Sequence, residues 1–173
     1  MKKLILISAL IAFATTAGAA IMPANLSTPV ATTEAFLRAM QRLDGDGIWS
    51  VMSGKLKDEF SKDFNELKKS GDMDEFAEEF GAPYLKESRD AHQFMVNLFQ
   101  AAREVYPEEC AEITSMLSDE NIRSLLDSSE LEVKGNKAII EIEELGEVRL
   151  VKEGPNWKVA ELDGFEIFDV FDF

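Results

Sequence analysis

The chain contains one histidine and one cysteine, the residue types that most often carry acid–base, nucleophilic or metal chemistry. His92 stands in a helical pattern, with no second histidine nearby in the sequence to complete a metal site or a catalytic pair. Cys110 takes an apolar helical position, which is typical of a small buried residue, although an odd cysteine also permits a bond between two chains. We predict a structural role for His92 and no internal disulfide.

Carboxylates offer a second route to chemistry, because 33 residues are Asp or Glu. The Asp44-Gly45-Asp46-Gly47 stretch invites comparison with a calcium loop, but the third ligand and the closing Glu of an EF-hand are missing. No serine stands in a nucleophile elbow, and there is no glycine-rich phosphate loop. We predict no metal, no cofactor and no catalytic residue, while a carboxylate pair formed by folding stays open as an alternative.

The overall charge and length narrow the function classes. The formal net charge is −15, so we expect the surface to repel nucleic acid and anionic lipid. A length of 173 residues is typical of one domain. After residue 19, no stretch reaches the roughly 20 apolar residues that a membrane-spanning helix requires. We expect one acidic domain with no membrane span and no nucleic-acid partner.

Residues 1–19 have the parts of a secretory signal peptide: a basic start, an apolar run over residues 4–14, and the Ala17-Gly18-Ala19 cleavage pattern. The cleavage point is followed directly by Ala20, Ile21 and Met22 and not by a cysteine, which argues against a lipid anchor. The sequence predicts an exported protein, periplasmic or secreted. Its mature chain is expected to begin at Ala20, with a flexible lead over residues 20–27.

Apolar residues then recur at helical spacing over residues 28–126. Thr28 and Pro29 form a start signal for the first helix. Gly54 is expected to break or kink the second helical segment, and Asp72 with Glu75 has the spacing of a capping box. The pattern predicts about six helical segments before the chain changes character.

The region over residues 130–162 consists of four short runs in which apolar and polar residues alternate, as in β-strands. The turn sequences Gly135-Asn136 and Gly154-Pro155-Asn156 separate pairs of runs. In the first run, Leu131 and Val133 alternate with charged residues. A four-stranded antiparallel meander has to bury its apolar face, so we expect that face to pack against the helices.

Several of these features resemble exported members of the NTF2-like, or cystatin-like, superfamily. The features are a Pro-led helix, the Gly45-Asp46 turn, a helix from Ile48-Trp49, and a strand from Gly146 that leads into Trp157-Lys158-Val159. In that superfamily, helices pack into the concave side of a curved sheet and leave a cone-shaped cavity. Some members use acidic and histidine side chains within the cone as isomerases or dehydratases.

The resemblance implies an NTF2-like cone or a variant of it, with Trp49, Phe60 and Trp157 as candidates for lining an apolar ligand pocket. Residues 72–126 depart from the family, because their pattern is helical where the family commonly has strands. The 12 Phe, 7 Met and 2 Trp are also compatible with a filled core, which we favour over a cavity and in which Trp157 is buried.

The last stretch, residues 163–173, has an acidic residue at every third position among apolar ones. This period fits neither a strand face nor a helical stripe. One interpretation is that the tail closes the core, which the aggregation risk of exposed Phe side chains favours. The other is an arm that docks on a partner or a second copy through Phe168, Phe171 and Phe173.

The sequence thus predicts a single α+β domain over residues 28–173, with N-terminal helices packed on a C-terminal meander. We interpret it as an exported, non-catalytic binding or interaction module for a small apolar ligand or a protein partner, with a homodimer also compatible. One alternative is a cofactor-free NTF2-like enzyme that uses a pocket carboxylate. The other is a structural subunit of an envelope assembly.

Overall fold

The structure is a computed structural model that describes residues 26–143 and 145–164. Within these residues, helices precede a four-stranded antiparallel sheet, which confirms the predicted α+β class. The helices are α1 (Pro29–Arg42), α2 (Gly45–Val51), α3 (Gly54–Ser70), α4 (Asp72–Glu79), the 3₁₀ helix η1 (Pro83–Glu87), α5 (Ala91–Val105), α6 (Pro107–Met116) and α7 (Asp119–Ser128). The strands are β1 (Glu130–Lys134), β2 (Lys137–Ile142), β3 (Gly146–Glu153) and β4 (Asn156–Asp163). The predicted signal peptide and residues 165–173 of the tail lie outside the described residues.

Side-chain caps fix where the first three helices begin. Thr28 Oγ1 accepts a hydrogen bond from the Ala31 amide at 3.1 Å, so the predicted start of α1 is confirmed. Asp44 caps α2 in the same way, and Ser53 caps α3 by accepting from the Leu56 amide at 3.2 Å. The predicted break at Gly54 is therefore a boundary between two separate helices.

The predicted capping box at Asp72 is wrong, because the cap residue of α4 is Gly71 and no side chain caps this helix. Gly71 adopts φ +88°, which a glycine tolerates, and it ends α3 while starting α4 directly. Asp72 is consequently drawn into the first helical turn with Asp74 and Glu75, where carboxylates are favoured by the positive end of the helix dipole.

The sheet is a simple meander with strand order β1-β2-β3-β4. Two-residue turns at Gly135-Asn136 and Gly154-Pro155 join its outer pairs of strands, as the sequence predicts. The inner face is apolar and packs against α1, with α2 and α3 at β4 and α7 at β2. Its buried residues are Ala138, Ile140, Ile142, Val148, Leu150, Trp157 and Val159. The predicted burial of Trp157 is confirmed, since only 5% of this residue is exposed.

The β4 edge of the sheet is covered by chain that precedes α1 and α3. Met52 forms a parallel bridge with Val159, and the Ser53 amide donates to the Val159 carbonyl at 2.7 Å. The Trp157 amide donates to the Leu26 carbonyl at 2.8 Å. Two segments from the N-terminal half of the described chain, at Leu26 and at residues 52–53, therefore hold β4.

The β1 edge differs from the sequence expectation of a fully buried apolar face. Leu131 and Val133 pair with Ile140 and Ala138, so they belong to the inner face, yet they remain 46% and 50% exposed. The alternation correctly predicts which side chains share the inner face. It does not predict which of them the helices bury, because the helical layer packs chiefly on β2 and β4.

No helix among the described residues is long and apolar enough to cross a membrane.

Candidate functional site

The single histidine has a carboxylate partner that the sequence spacing did not reveal. His92 Nε2 lies 2.8 Å from Asp46 Oδ1, and the imidazole stacks on Trp49 with ring centroids 5.1 Å apart. The contact forms because α2 packs on α5. The side chains of His92 and Asp46 are 44% and 61% exposed, so water screens the pair. The arrangement joins two helices at the surface and lacks the enclosed pocket that tunes an acid–base pair.

The three residues predicted to line a pocket lie in different surroundings. Phe60 is 2% exposed and meets the half-buried Trp49 edge to face, with centroids 6.1 Å apart. Trp157 lies on β4, with Lys152 Nζ 5.9 Å from its ring centre. Lining of a ligand pocket by these residues stays a prediction. The predicted partner contacts Phe168, Phe171 and Phe173 lie outside the described residues.

The sheet face that points away from the helices contains a groove of about 610 Å³, which we call the outer groove. It extends across the sheet from β1 to the start of α3. Its lining residues are Ser53, Lys55, Glu132, Lys134, Lys137, Ala138, Ile139, Arg149, Leu150, Val151, Glu153, Ala160 and Glu161. This volume lies in the range of small-molecule sites, which is about 300–1,000 Å³.

Apolar side chains form part of the groove surface. Ile139 and Val151 lie at outward positions of β2 and β3 and are half-buried. Ala160 is the extra residue where the β3–β4 register shifts, so it also faces the groove. The sequence contained a signal for this surface, since Ile139 and Val151 are both apolar at outward positions of predicted strands.

The strand register sorts the charges of the outer face into two rows. At one end of the strands, four carboxylates stand side by side across the sheet, and we call them the acidic row: Glu130, Glu141, Glu147 and Asp163. At the other end, three lysines and a valine stand side by side, and we call them the basic row: Lys134, Lys137, Val151 and Lys158. Like charges on neighbouring strands repel, so each row favours an opposite charge beside it.

Arg149 compensates part of the acidic row. Its guanidinium nitrogens lie 2.9 Å from Glu147, 3.2 Å from Glu161 and 2.8 Å from Asp163. The pKa of Arg149 is raised, chiefly by its hydrogen bond to Glu147. Glu130 and Glu141, towards the β1 edge, have no ion-pair partner within the described chain.

The carboxylates of the outer groove are all engaged. Glu132 pairs with Lys134 at 2.5 Å, Glu161 pairs with Arg149, and Glu153 Oε1 accepts from the Gly54 amide at 2.9 Å. In contrast, no carboxylate of the described residues pairs with Lys137. The groove therefore presents apolar surface together with an unpaired cation, although the chain as a whole is acidic.

The other end of the basic row is tied to the helices. Lys158 Nζ donates to the Ser50 carbonyl at 2.6 Å. Partial burial lowers the pKa of Lys158, and nearby Lys57 lowers it further. This lysine is already committed to a structural contact, so Lys137 is the groove cation best placed to meet an added anion.

One further depression is a weaker candidate. A shallow depression of about 370 Å³ follows the solvated side of α3, and all of its lining residues come from this one helix. Among the described residues, no group of three or more His, Cys, Asp or Glu side chains is arranged to hold a metal ion.

In comparisons with known proteins, no family model, no curated protein and no solved structure matches this chain. The NTF2-like resemblance consequently stays a prediction.

Proposed function

We propose that the protein is an exported, non-catalytic binding module whose outer groove takes an organic anion with an apolar body. The observation that supports this proposal most is the combination of exposed apolar surface with unpaired Lys137 beside it. An anionic group beside Lys137 gains an ion pair, while its apolar body covers Ile139 and Val151. A cationic ligand meets carboxylates that already have partners.

A binding role fits the chemistry of the site better than catalysis does. The groove is open to solvent along the sheet, whereas acid–base catalysis is favoured where water is excluded and pKa values are shifted. The enzyme alternative has one observation in its favour, the hydrogen bond between His92 and Asp46. Both side chains are exposed, and neither belongs to the outer groove.

Octanoate is a suitable probe, because it combines one carboxylate with a short apolar chain. We expect octanoate to shift the NMR signals of groove residues, and we expect acetate and octan-1-ol to bind more weakly because each lacks one of the two features. Lys137→Glu should weaken octanoate binding about fivefold or more, since it replaces an exposed attraction worth about 1 kcal/mol by repulsion.

The matched control is Lys69→Glu, which makes the same charge change at an exposed position of α3. It should leave octanoate affinity unchanged. Equal affinities of the wild-type protein and Lys137→Glu would contradict the groove proposal. Signal changes confined to residues around Trp49 would instead favour a pocket among the helices.

Export is part of the proposal and rests on the pattern of residues 1–19. Intact-mass measurement of the protein recovered from its native compartment should give a chain that begins at Ala20. Recovery of the chain with residues 1–19 still attached would remove the argument for export.

A further inference from the structure

The β1 edge of the sheet is uncovered in the part of the chain that the structure describes. All five residues of β1 are exposed, and no strand lies beyond it. Leu131 and Val133 are two of the five large apolar residues that are most exposed among the described ones. The opposite edge is covered by Leu26 and residues 52–53. An exposed strand edge with apolar side chains is a template for adding another strand.

The charges of β1 are self-complementary when two copies run antiparallel. If Glu132 of each copy lies at the centre, Glu130 lies opposite Lys134 of the partner subunit, and the same pair forms again by symmetry. In this register, Leu131 lies opposite Val133 of the partner subunit on the inner face. A one-residue slip would place apolar side chains opposite charged ones and would reverse the faces.

We propose that two copies of the chain pair antiparallel through β1 and form one continuous eight-stranded sheet. The two charge rows favour a second copy over an unrelated strand. The acidic row of each copy ends at Glu130, which has no ion-pair partner within the described chain. Antiparallel pairing places this row in line with the basic row of the other copy. Glu130, which has Glu141 as a like-charge neighbour, thereby gains a cation beside it. Lys134, which has Lys137 as a like-charge neighbour, gains a carboxylate beside it.

The central contact of this register brings the two Glu132 side chains opposite each other. Each is already paired with Lys134 of its own copy at 2.5 Å, which offsets the repulsion between them. Lys134 then lies between its own Glu132 and Glu130 of the partner subunit. The charged side chains of β1 thus hold the two copies in register on the outer face, while Leu131 and Val133 cover each other on the inner face.

The dimer also joins the two binding surfaces. Glu132 and Lys134 form the β1 end of the outer groove, and the two-fold axis is perpendicular to the sheet, so both grooves open on the same side. The grooves then meet at the axis and form one surface with two copies of Lys137. This consequence for binding rests on the proposed function, but the dimer itself does not.

The register can be tested by reversing charges at exposed positions, where the fold should tolerate the change. We expect sedimentation equilibrium of the mature wild-type chain to show a dimer. Because the interface is small, this dimer should be weak and should dissociate on dilution. Glu130→Lys and Lys134→Glu should each weaken self-association at least about tenfold, because each makes two like-charge contacts per dimer.

The two variants should nevertheless associate with each other. Residues 130 and 134 are both lysine in Glu130→Lys and both glutamate in Lys134→Glu. In an equimolar mixture, each of the two contacts of a heterodimer therefore joins a lysine to a glutamate, and we expect near wild-type affinity. The double variant E130K/K134E should also recover self-association. Glu79→Lys on α4 is the control, since it makes the same charge change away from β1 and should not alter the dimer.

Three results would overturn the proposal. The first is dimerisation of both single variants at wild-type strength, which would place the interface elsewhere. The second is failure of their mixture to form a heterodimer, which would exclude this register. The third is a monomeric wild-type chain, and protection of its β1 amides from hydrogen exchange would then show that another segment of the chain covers this edge.

Discussion

Replacement of Trp157 by alanine should remove one of the largest single contributions to stability in this domain. The residue is 5% exposed on β4, between the sheet and α1. A tryptophan buries about 150–250 Å² of surface, which at about 25 cal/mol per Å² corresponds to about 4–6 kcal/mol. The methyl group of alanine and the compactness of the unfolded chain reduce this gain, so the expected loss is about 3–5 kcal/mol.

The backbone contacts at this position should survive the substitution. The amide of residue 157 donates to Leu26, and its carbonyl accepts from Thr32 Oγ1 at 3.3 Å. The measured loss should therefore come from the side chain, and the urea dependence of unfolding should keep its slope. Urea titration followed by far-UV circular dichroism gives both quantities.

Trp49→Ala is the matched control, because Trp49 is the other tryptophan of the chain and is half-buried. We expect it to cost less than Trp157→Ala, in proportion to the smaller area removed from water. A loss below about 1 kcal/mol for Trp157→Ala would refute the reasoning, since core truncations of this size cost several times more. The side chain would then line an open site or the surface.

Three further predictions concern single side chains. Thr32→Val should cost about 1 kcal/mol, because it breaks a buried hydrogen bond to β4. Thr33→Val should be neutral or stabilising, because the buried Thr33 hydroxyl has no hydrogen-bond partner among the described residues. Burial raises the pKa of the Cys110 thiol to about 12. The contribution of the protonated thiol to the free energy of unfolding is therefore complete below about pH 9 and declines as the pH rises further. Cys110→Ala should flatten this decline in urea titrations. Gly45→Ala should cost about 1–3 kcal/mol, because a Cβ would lie 2.9 Å from the backbone of α5, whereas Gly54→Ala meets no atom closer than 3.7 Å and should cost nothing.

Each of these comparisons can fail in a specific way. Equal losses for the two threonine variants would mean that the hydroxyl of Thr33 finds a partner in solution. A wild-type stability that stays constant up to about pH 10 would contradict the raised pKa of Cys110. Equal stabilities of the two glycine variants, measured by urea titration, would mean that α2 can move away from α5 without cost.

The sequence predicts the meander well because each strand is specified by local signals. Gly135-Asn136 and Gly154-Pro155 mark the turns, and the alternation around Ile140 and Leu150 identifies the inner face. The exposure of Leu131 was not predictable from this pattern. Alternation shows which side chains share a face, whereas the cover of that face depends on where the helices pack.

The candidate site depended on contacts that join distant parts of the chain. Asp46 and His92 lie 46 positions apart and meet only because α2 packs on α5. The charge rows follow from the register of four strands, which a one-residue slip would scramble. Lys137 is one of 18 basic residues in the sequence, and only the register and the ion pairs around it distinguish it.

The attachment of β4 to the start of the domain determines when the chain can fold. The hydrogen bond from Thr32 to the Trp157 carbonyl spans 125 positions of sequence, and the bridge from Met52 reaches the same strand. Closing so long a loop costs entropy before its contacts form, so we expect folding to be slow for a chain with this much helix. During synthesis, the apolar side of α1 stays without its partner until the last strand has emerged. We therefore expect these contacts of the first helix to form only after β4 has been synthesised.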